Sequence, residues 1–156
     1  MKKIEEREYY PVKIQIDGQT VFCIWYGMEN EDRLISTNDR LTIFTSMDEV
    51  IEFSKHQKLT LNLDHELAYY NLDTPFEELY SEDMLSFWNI FSDIANSINV
   101  SFRGDVMGEF RDNAYDKLCN EVIWKEGKKV FLKEEVTVIY ELWKEGKEML
   151  RREFKK

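Results

Sequence analysis

Cysteine, proline and glycine are all scarce in this chain of 156 residues. It contains two Cys, two Pro and six Gly. Two cysteines are too few for a disulfide framework, and they cannot supply the four ligands of a structural zinc site. Six glycines leave little room for a phosphate-binding loop, and neither a GxSxG nor an HExxH motif occurs. We therefore expect no catalytic residue, no cofactor and no metal.

Long apolar segments are also lacking. No window approaches the roughly 20 apolar residues that a membrane-spanning helix needs. The first eight residues, from Met1 to Glu8, are mostly charged and contain no apolar core of a secretory signal. Two unpaired thiols suit a reducing compartment. The expected location is the cytoplasm, with no membrane partner.

Apolar and aromatic side chains are plentiful instead. The composition is 43% hydrophobic and 14% aromatic, which excludes a disordered chain. A chain of this length buries roughly 70% of its unfolded surface without help from disulfides or metals. No repeat or flexible linker interrupts it, so residues 1–156 are predicted to form a single domain.

The negative charge is concentrated in the middle of the chain. The formal net charge is −10, and residues 59–102 contain eight acidic residues but no lysine or arginine. The acids are Asp64, Glu66, Asp73, Glu77, Glu78, Glu82, Asp83 and Asp93. Such a segment either faces open water or meets a cation-rich partner, since uncompensated like charges repel one another. A surface of this sign disfavours nucleic acid as the partner.

The first half of the chain reads as strands around a short helix. Residues 9–15 and 20–26 are rich in β-branched and aromatic residues and flank Asp17-Gly18, which predicts a hairpin. Further strands are predicted at residues 41–45 and 59–63. Between them, Ser46 and Glu49 form a capping box that opens a helix at residues 47–55.

Helices dominate the second half. Thr74 and Glu77 predict a capped short helix ending near Tyr80, and Ser81 is expected to cap a longer helix at residues 82–98. That longer helix is apolar around most of its circumference, which is typical of a central helix. Its polar pair, Asn89 and Asp93, indicates either a structural network or a functional pocket.

The last third is less regular. Residues 110–118 are predicted to be helical, and residues 122–124 and 130–132 to form a hairpin. An amphipathic helix is expected at residues 134–152, within which Gly146 either permits close packing or ends the helix early. The predicted fold is thus of the α+β class, with a small, mostly antiparallel sheet, a central apolar helix and a C-terminal amphipathic helix.

Two features suggest chemistry, and the sequence favours neither as an active site. Cys23 lies inside a predicted strand, and neither His56 nor His65 is placed by the sequence beside a cysteine, as a Cys–His nucleophile pair would require. In a strand, Asp64 and Glu66 would face away from His65 and could not share one metal ion with it.

Residues 85–95 resemble a segment of bacterial immunity proteins, which accompany polymorphic toxins and contact-dependent growth inhibition systems. Residues 115–118, the strand residues 22–25 and the final helix containing Gly146 are similar to the same family. The segment 119–122 departs from it, since an asparagine-rich loop is usual there. The resemblance covers most of the chain, but its motifs are aromatic and aliphatic and specify a fold better than an activity.

The resemblance implies an immunity protein, which binds and neutralises a cognate toxin. The expected partner is a basic nuclease domain, and charge complementarity would speed its capture. Acidic residues interleaved with aromatic ones form the predicted partner-binding segment: Asp64, Glu66, Tyr69, Tyr70, Asp73, Glu77, Glu78, Tyr80, Glu82 and Asp83. The aromatic residues of this segment, together with Phe76, could instead pack the short helix onto the core. An intracellular adaptor domain and a small-molecule-binding protein remain alternatives.

Overall fold

The computed structural model describes residues 7–154 and has the predicted α+β class. The described residues form two compact units. The first contains residues 7–73 and 96–99, and the second contains residues 74–95 and 100–154. The single-domain organisation stays a prediction. The charged N-terminal segment lies outside the described residues as far as Glu6.

The first unit is built on a small mixed sheet, which has two antiparallel and two parallel strand pairs. Its strands are β1 (Glu8–Ile16), β2 (Gln19–Gly27), β3 (Asp32–Leu34), β4 (Ser36–Thr37), β5 (Arg40–Leu41), β6 (Thr60–Leu61) and β7 (Ala68–Asn71). Strand β2 pairs antiparallel with β1 and β3, whereas β6 and β7 both pair parallel with β1. Strands β4 and β5 form a separate two-stranded ladder.

The predicted β1–β2 hairpin is confirmed. Asp17 and Gly18 both have positive φ, at 51° and 76°, as the tight turn between two twisted strands requires. The third predicted strand, residues 41–45, is mostly absent. Only Leu41 belongs to a named strand, while Phe44 makes an isolated bridge to Phe22.

Helix α1 (Met47–His56) covers one face of this sheet. The Ser46 hydroxyl accepts a hydrogen bond from the Glu49 N–H at 3.2 Å, so the predicted N-cap is confirmed. The Glu49 carboxylate, however, receives the N–H of Thr45 rather than that of Ser46. Buried Ile24, Phe44 and Val50 form the core under the helix.

The second unit is helical. It contains most of α2 (Ser81–Ile98), together with α3 (Glu109–Val122), α4 (Lys133–Phe154) and two short 3₁₀ turns, Phe76–Glu78 and Arg103–Asp105. As its apolar sequence predicts, α2 is largely buried, with Trp88 and Phe91 at most 1% exposed. The Trp88 indole donates to the Gly104 carbonyl at 3.1 Å, which ties the second turn to this helix.

Three details predicted for the second half of the chain were wrong. Thr74 and Glu77 form no capping box, because the 3₁₀ turn begins at Phe76 without a side-chain cap. Ser81 is the first residue of α2 rather than its cap, and its hydroxyl donates to Glu121. The hairpin predicted at residues 122–132 does not form, since Val122 ends α3 and no strand follows it within the described residues.

Within residues 7–154, no helix has both the length and the apolar character that crossing a membrane demands.

Candidate functional site

An interruption in the sheet lies beside a cavity of the first unit. The Tyr9 carbonyl accepts the Asn62 N–H at 2.7 Å, and the Gln15 carbonyl accepts the Leu72 N–H at 2.8 Å. Backbone groups of β1 at odd-numbered positions therefore point towards β6 and β7. Pro11 holds such a position but has no N–H, so the next ladder bond to Asn62 cannot form.

The chain leaves the sheet at this point and returns six residues later. Strand β6 is paired up to Leu61, and β7 begins opposite Val12 with Ala68. We call residues 62–67 the bulge loop. The Asn62 side chain fixes its start, because its Oδ1 accepts the Asp64 N–H at 2.9 Å and its Nδ2 donates to Glu8 at 3.3 Å.

A cavity of about 570 Å³ lies beside the bulge loop. We call it the bulge cavity; it is lined by Tyr10, Pro11, Val12, Trp25, Met47, Asn62, Leu63, His65, Glu66, Leu67, Ala68 and Tyr70. Tyr10 and Trp25 share one face of the sheet, whereas Met47 packs on the opposite face with the core beneath α1. The cavity reaches both faces because the ladder is open at Pro11.

Aromatic rings and one carboxylate line this cavity. The ring of Tyr10 lies 5.6 Å from those of both Trp25 and His65. The Tyr10 hydroxyl donates to the Glu8 carboxylate at 2.7 Å, which lowers the pKa of Glu8 and raises that of Tyr10. Glu66 lines the cavity, and no lysine or arginine is among its described lining residues.

Five of the ten predicted partner-binding residues belong to this unit. Asp64 and Glu66 lie in the bulge loop and are exposed, and Tyr70 lines the cavity from β7. Tyr69 is 48% exposed, with the Lys13 ammonium 5.0 Å from the centre of its ring.

Asp73 has a local structural role. Its carboxylate accepts the Asp17 N–H at 2.6 Å and the Gly18 N–H at 3.0 Å, so it closes the hairpin turn. Partial burial opposes ionisation, but these hydrogen bonds hold the pKa of Asp73 below its usual value.

The other five predicted residues lie in the second unit, around the start of α2. We call residues 77–83 the acidic turn. Tyr80 projects from it with 79% of its surface exposed. Glu77, Glu78 and Glu82 are also exposed and take part in none of the ion pairs described for residues 7–154.

Asp83 differs from its acidic neighbours. Its carboxylate accepts the Tyr80 N–H at 3.0 Å and thereby caps α2. Basic residues are also close to this turn, because Lys125 and Lys128 line the same depression as Glu82. The sequence segment is free of cations, but its surroundings in the fold are not.

Phe76, beside the acidic turn, packs against another helix, as the alternative to partner binding predicted. The ring of Phe76 lies 5.1 Å from that of Tyr140 and 5.5 Å from that of Trp143, and both belong to α4. Packing therefore accounts for Phe76, whereas the exposure of Tyr80 leaves its ring available to a partner.

The groups considered for chemistry are dispersed. Burial raises the pKa of the Cys23 thiol to about 12 and also raises that of Cys119. Among residues 7–154, no three His, Cys, Asp or Glu side chains are arranged to hold a metal ion. The polar pair on α2, Asn89 and Asp93, is not enclosed in a deep pocket. Asn89 is exposed, and its side-chain oxygen accepts the Tyr115 hydroxyl at 2.8 Å.

The bulge cavity was not foreseen from the sequence. Its one local signal is Pro11, because proline inside a strand marks an edge or a bulge. That signal does not indicate that Trp25 and Met47 line the same space, since they come from other elements.

Comparisons with known proteins give a fold likeness alone. No protein-family model and no curated protein matches the chain. A solved structure, the C-terminal domain of SatS in complex with bromine, is similar with a TM-score of 0.55 and 10% sequence identity. The alignment covers 93% of this chain and 91% of that one. At this identity the likeness concerns the fold and not the activity.

Proposed function

We propose that this chain is an immunity protein, which binds a cationic toxin domain through the acidic turn and thereby neutralises it. The observation that carries the proposal is the exposure of Tyr80 among acidic side chains. Tyr80 is 79% exposed, and Glu77, Glu78 and Glu82 around it are exposed as well. An aromatic anchor flanked by like charges is a typical composition for binding a basic surface.

Charge would act mainly on the rate of capture. The whole chain has a net charge of −10, so its field attracts a basic domain at a distance. Electrostatic steering raises association rates to about 10⁸ M⁻¹s⁻¹ or more at low salt. Fast capture is an advantage for an inhibitor whose target destroys nucleic acid.

The proposal that the partner is a toxin rests on the resemblance of residues 85–95 and 115–118 to immunity proteins. A nuclease binds phosphate backbones through lysine and arginine, and an acidic inhibitor can cover that surface. The same charge disfavours nucleic acid as a ligand of this chain. Cys23 and Cys119 are both free thiols, which supports the cytoplasm as the compartment of this role.

The first experiment identifies the partner. The chain is co-purified with the product of the gene immediately upstream, and the complex is measured by titration calorimetry. We expect a complex whose affinity falls as salt rises. Capture of a protein without toxic activity would favour the adaptor alternative over immunity.

The second experiment tests the acidic turn. The triple variant Glu77→Lys, Glu78→Lys and Glu82→Lys is expected to weaken toxin binding at least about tenfold, or about 1.4 kcal/mol. Asp83 is left unchanged because it caps α2.

A matched control changes the net charge equally at three other exposed positions, Glu29, Glu52 and Glu148. We expect this control to retain most of the affinity. Equal losses in the two triple variants would contradict a role specific to the acidic turn, and unchanged affinity in the first would overturn it.

A further inference from the structure

We propose that the bulge cavity is a binding site for a ligand with an ammonium group on an apolar body. This site lies within the first unit and shares no residue with the acidic turn, so its test needs no toxin. The shared chemistry is that of an alkylammonium ion, supplied either by a free amine or by a lysine side chain of a protein.

The size of the cavity fits a ligand larger than an ion. A volume of about 570 Å³ lies within the range of about 300–1,000 Å³ that is usual for small-molecule sites. Pro11, Met47 and Leu67 provide apolar walls from three different elements. Such walls favour burial of a hydrocarbon or aryl body.

Aromatic rings favour a positive charge in the same space. Tyr10, Trp25 and Tyr70 line the cavity, and the electron-rich face of an indole or phenol ring attracts an ammonium ion. The Tyr10 hydroxyl donates to Glu8, and an anionic acceptor increases the electron density of the phenol ring. This effect strengthens the attraction of that ring for a cation.

The charged groups have the matching sign. Glu66 lines the cavity directly, and the Glu8 carboxylate, which accepts the hydroxyl of the lining residue Tyr10 at 2.7 Å, places a second acidic group next to the lining. The described lining includes no lysine or arginine that could neutralise Glu66 internally. A cation is therefore favoured over a neutral or anionic ligand of equal shape.

The experiment compares two probes with one skeleton. 4-Phenylbutylammonium chloride and 4-phenylbutan-1-ol differ only in the terminal group, and each is titrated into the ¹⁵N-labelled protein by NMR. We expect the ammonium probe to bind about tenfold more tightly, which corresponds to about 1.4 kcal/mol. Its largest shifts should include the Trp25 indole N–H and the amides of residues 62–67.

Two variants test whether the Glu66 carboxylate contacts the ammonium group. Glu66→Gln is expected to weaken the ammonium probe about threefold and to leave the alcohol unchanged, because only the charge contact is lost. Glu52→Gln removes an exposed carboxylate outside the cavity and should change neither probe. Both positions are exposed, so the fold is retained.

A third probe separates the two sources of the ammonium group. The dipeptide amide acetyl-Phe-Lys-NH₂ presents the lysine of a protein, and tighter binding than that of 4-phenylbutylammonium would identify a protein source. Weaker binding would identify a free amine. Equal affinity of the ammonium and alcohol probes, or shifts confined to residues outside the cavity, would overturn the proposal.

Discussion

Gly146 of α4 lies directly against the ring of Phe91 in α2. A Cβ atom added at Gly146 would come within 3.0 Å of three atoms of that ring. Phe91 is fully buried, so its ring has no free space into which to move. The absence of a side chain at Gly146 therefore allows the two helices to pack closely.

Gly146→Ala is expected to destabilise the protein by about 1–3 kcal/mol, even though alanine is the better helix former. The cost of overpacking the Phe91 ring exceeds the gain in helix propensity. Urea denaturation measures the difference. Gly108→Ala is the control, because nothing lies within 4 Å of a Cβ there, and its loss should stay below about 1 kcal/mol, from the N-cap position of Gly108 in α3 alone. A stabilised Gly146→Ala variant would show that the Phe91 ring can shift to accommodate the added methyl group.

The sequence left two roles open for Gly146, and only the fold decides between them. The periodicity of residues 134–152 predicts the helix, which extends from Lys133 to Phe154. The partner Phe91 is 55 residues away along the chain, so no local pattern reveals the contact. Contacts between residues that are close in sequence can be predicted, whereas contacts between distant residues cannot. The turn at Asp17-Gly18 and the N-cap Ser46 of α1 depend on neighbouring residues, and both were predicted correctly.

Lys117 of α3 and Glu135 of α4 form an ion pair with a buried carboxylate. The Nζ–Oε1 distance is 2.6 Å, and the Glu135 side chain is 1% exposed. Lys117→Met is expected to lower the free energy of unfolding by about 3 kcal/mol, because it leaves a buried charge unpaired. Thermal or urea denaturation measures the loss.

A second pair provides a matched control. Lys129 is as exposed as Lys117, at 28%, but its partner Glu126 is 50% exposed. Lys129→Met should therefore cost less than about 1 kcal/mol. The double variant Lys117→Met with Glu135→Leu should recover more than half of the loss, since no buried charge remains. Equal effects at Lys117 and Lys129 would show that burial of Glu135 does not matter.

Glu135 also predicts a dependence of stability on pH. Burial opposes its ionisation, but the Lys117 ammonium and the Leu132 N–H hold the pKa of Glu135 below the ordinary value of 4.5. The lowered pKa stabilises the fold above pH 4.5, and this contribution disappears as the pH falls through the folded-state value. Glu135→Gln should flatten the decline of stability between about pH 5 and pH 2, measured by urea denaturation. An unchanged decline would exclude Glu135 as a source.

The wrongly predicted hairpin shows where local patterns fail. Residues 122–124 and 130–132 are apolar enough for strands, but the Val130 carbonyl accepts the Lys117 ammonium and the Leu132 N–H is held by Glu135. Contacts with two helices therefore take the place of a strand ladder in part of this segment. The bulge cavity was missed for a similar reason, because it needs the β1–β6–β7 register, which follows from pairing across the sheet.

Asp73 belongs to the predicted partner-binding segment, but its hydrogen bonds indicate that it stabilises the fold. Its carboxylate accepts the Asp17 and Gly18 N–H groups of the β1–β2 turn, which lie 56 and 55 residues earlier in the chain. Asp73→Ala should destabilise the protein by about 1 kcal/mol, since charged hydrogen bonds contribute about 1.5–3 kcal/mol and this group is exposed to solvent. Asp64→Ala is the control, because the Asp64 carboxylate is exposed and only its backbone N–H is hydrogen-bonded. Urea denaturation compares the two variants, and amide hydrogen exchange at Asp17 and Gly18 should accelerate only in Asp73→Ala. If stability and exchange stay unchanged while toxin binding falls, Asp73 contacts the partner and does not serve the turn.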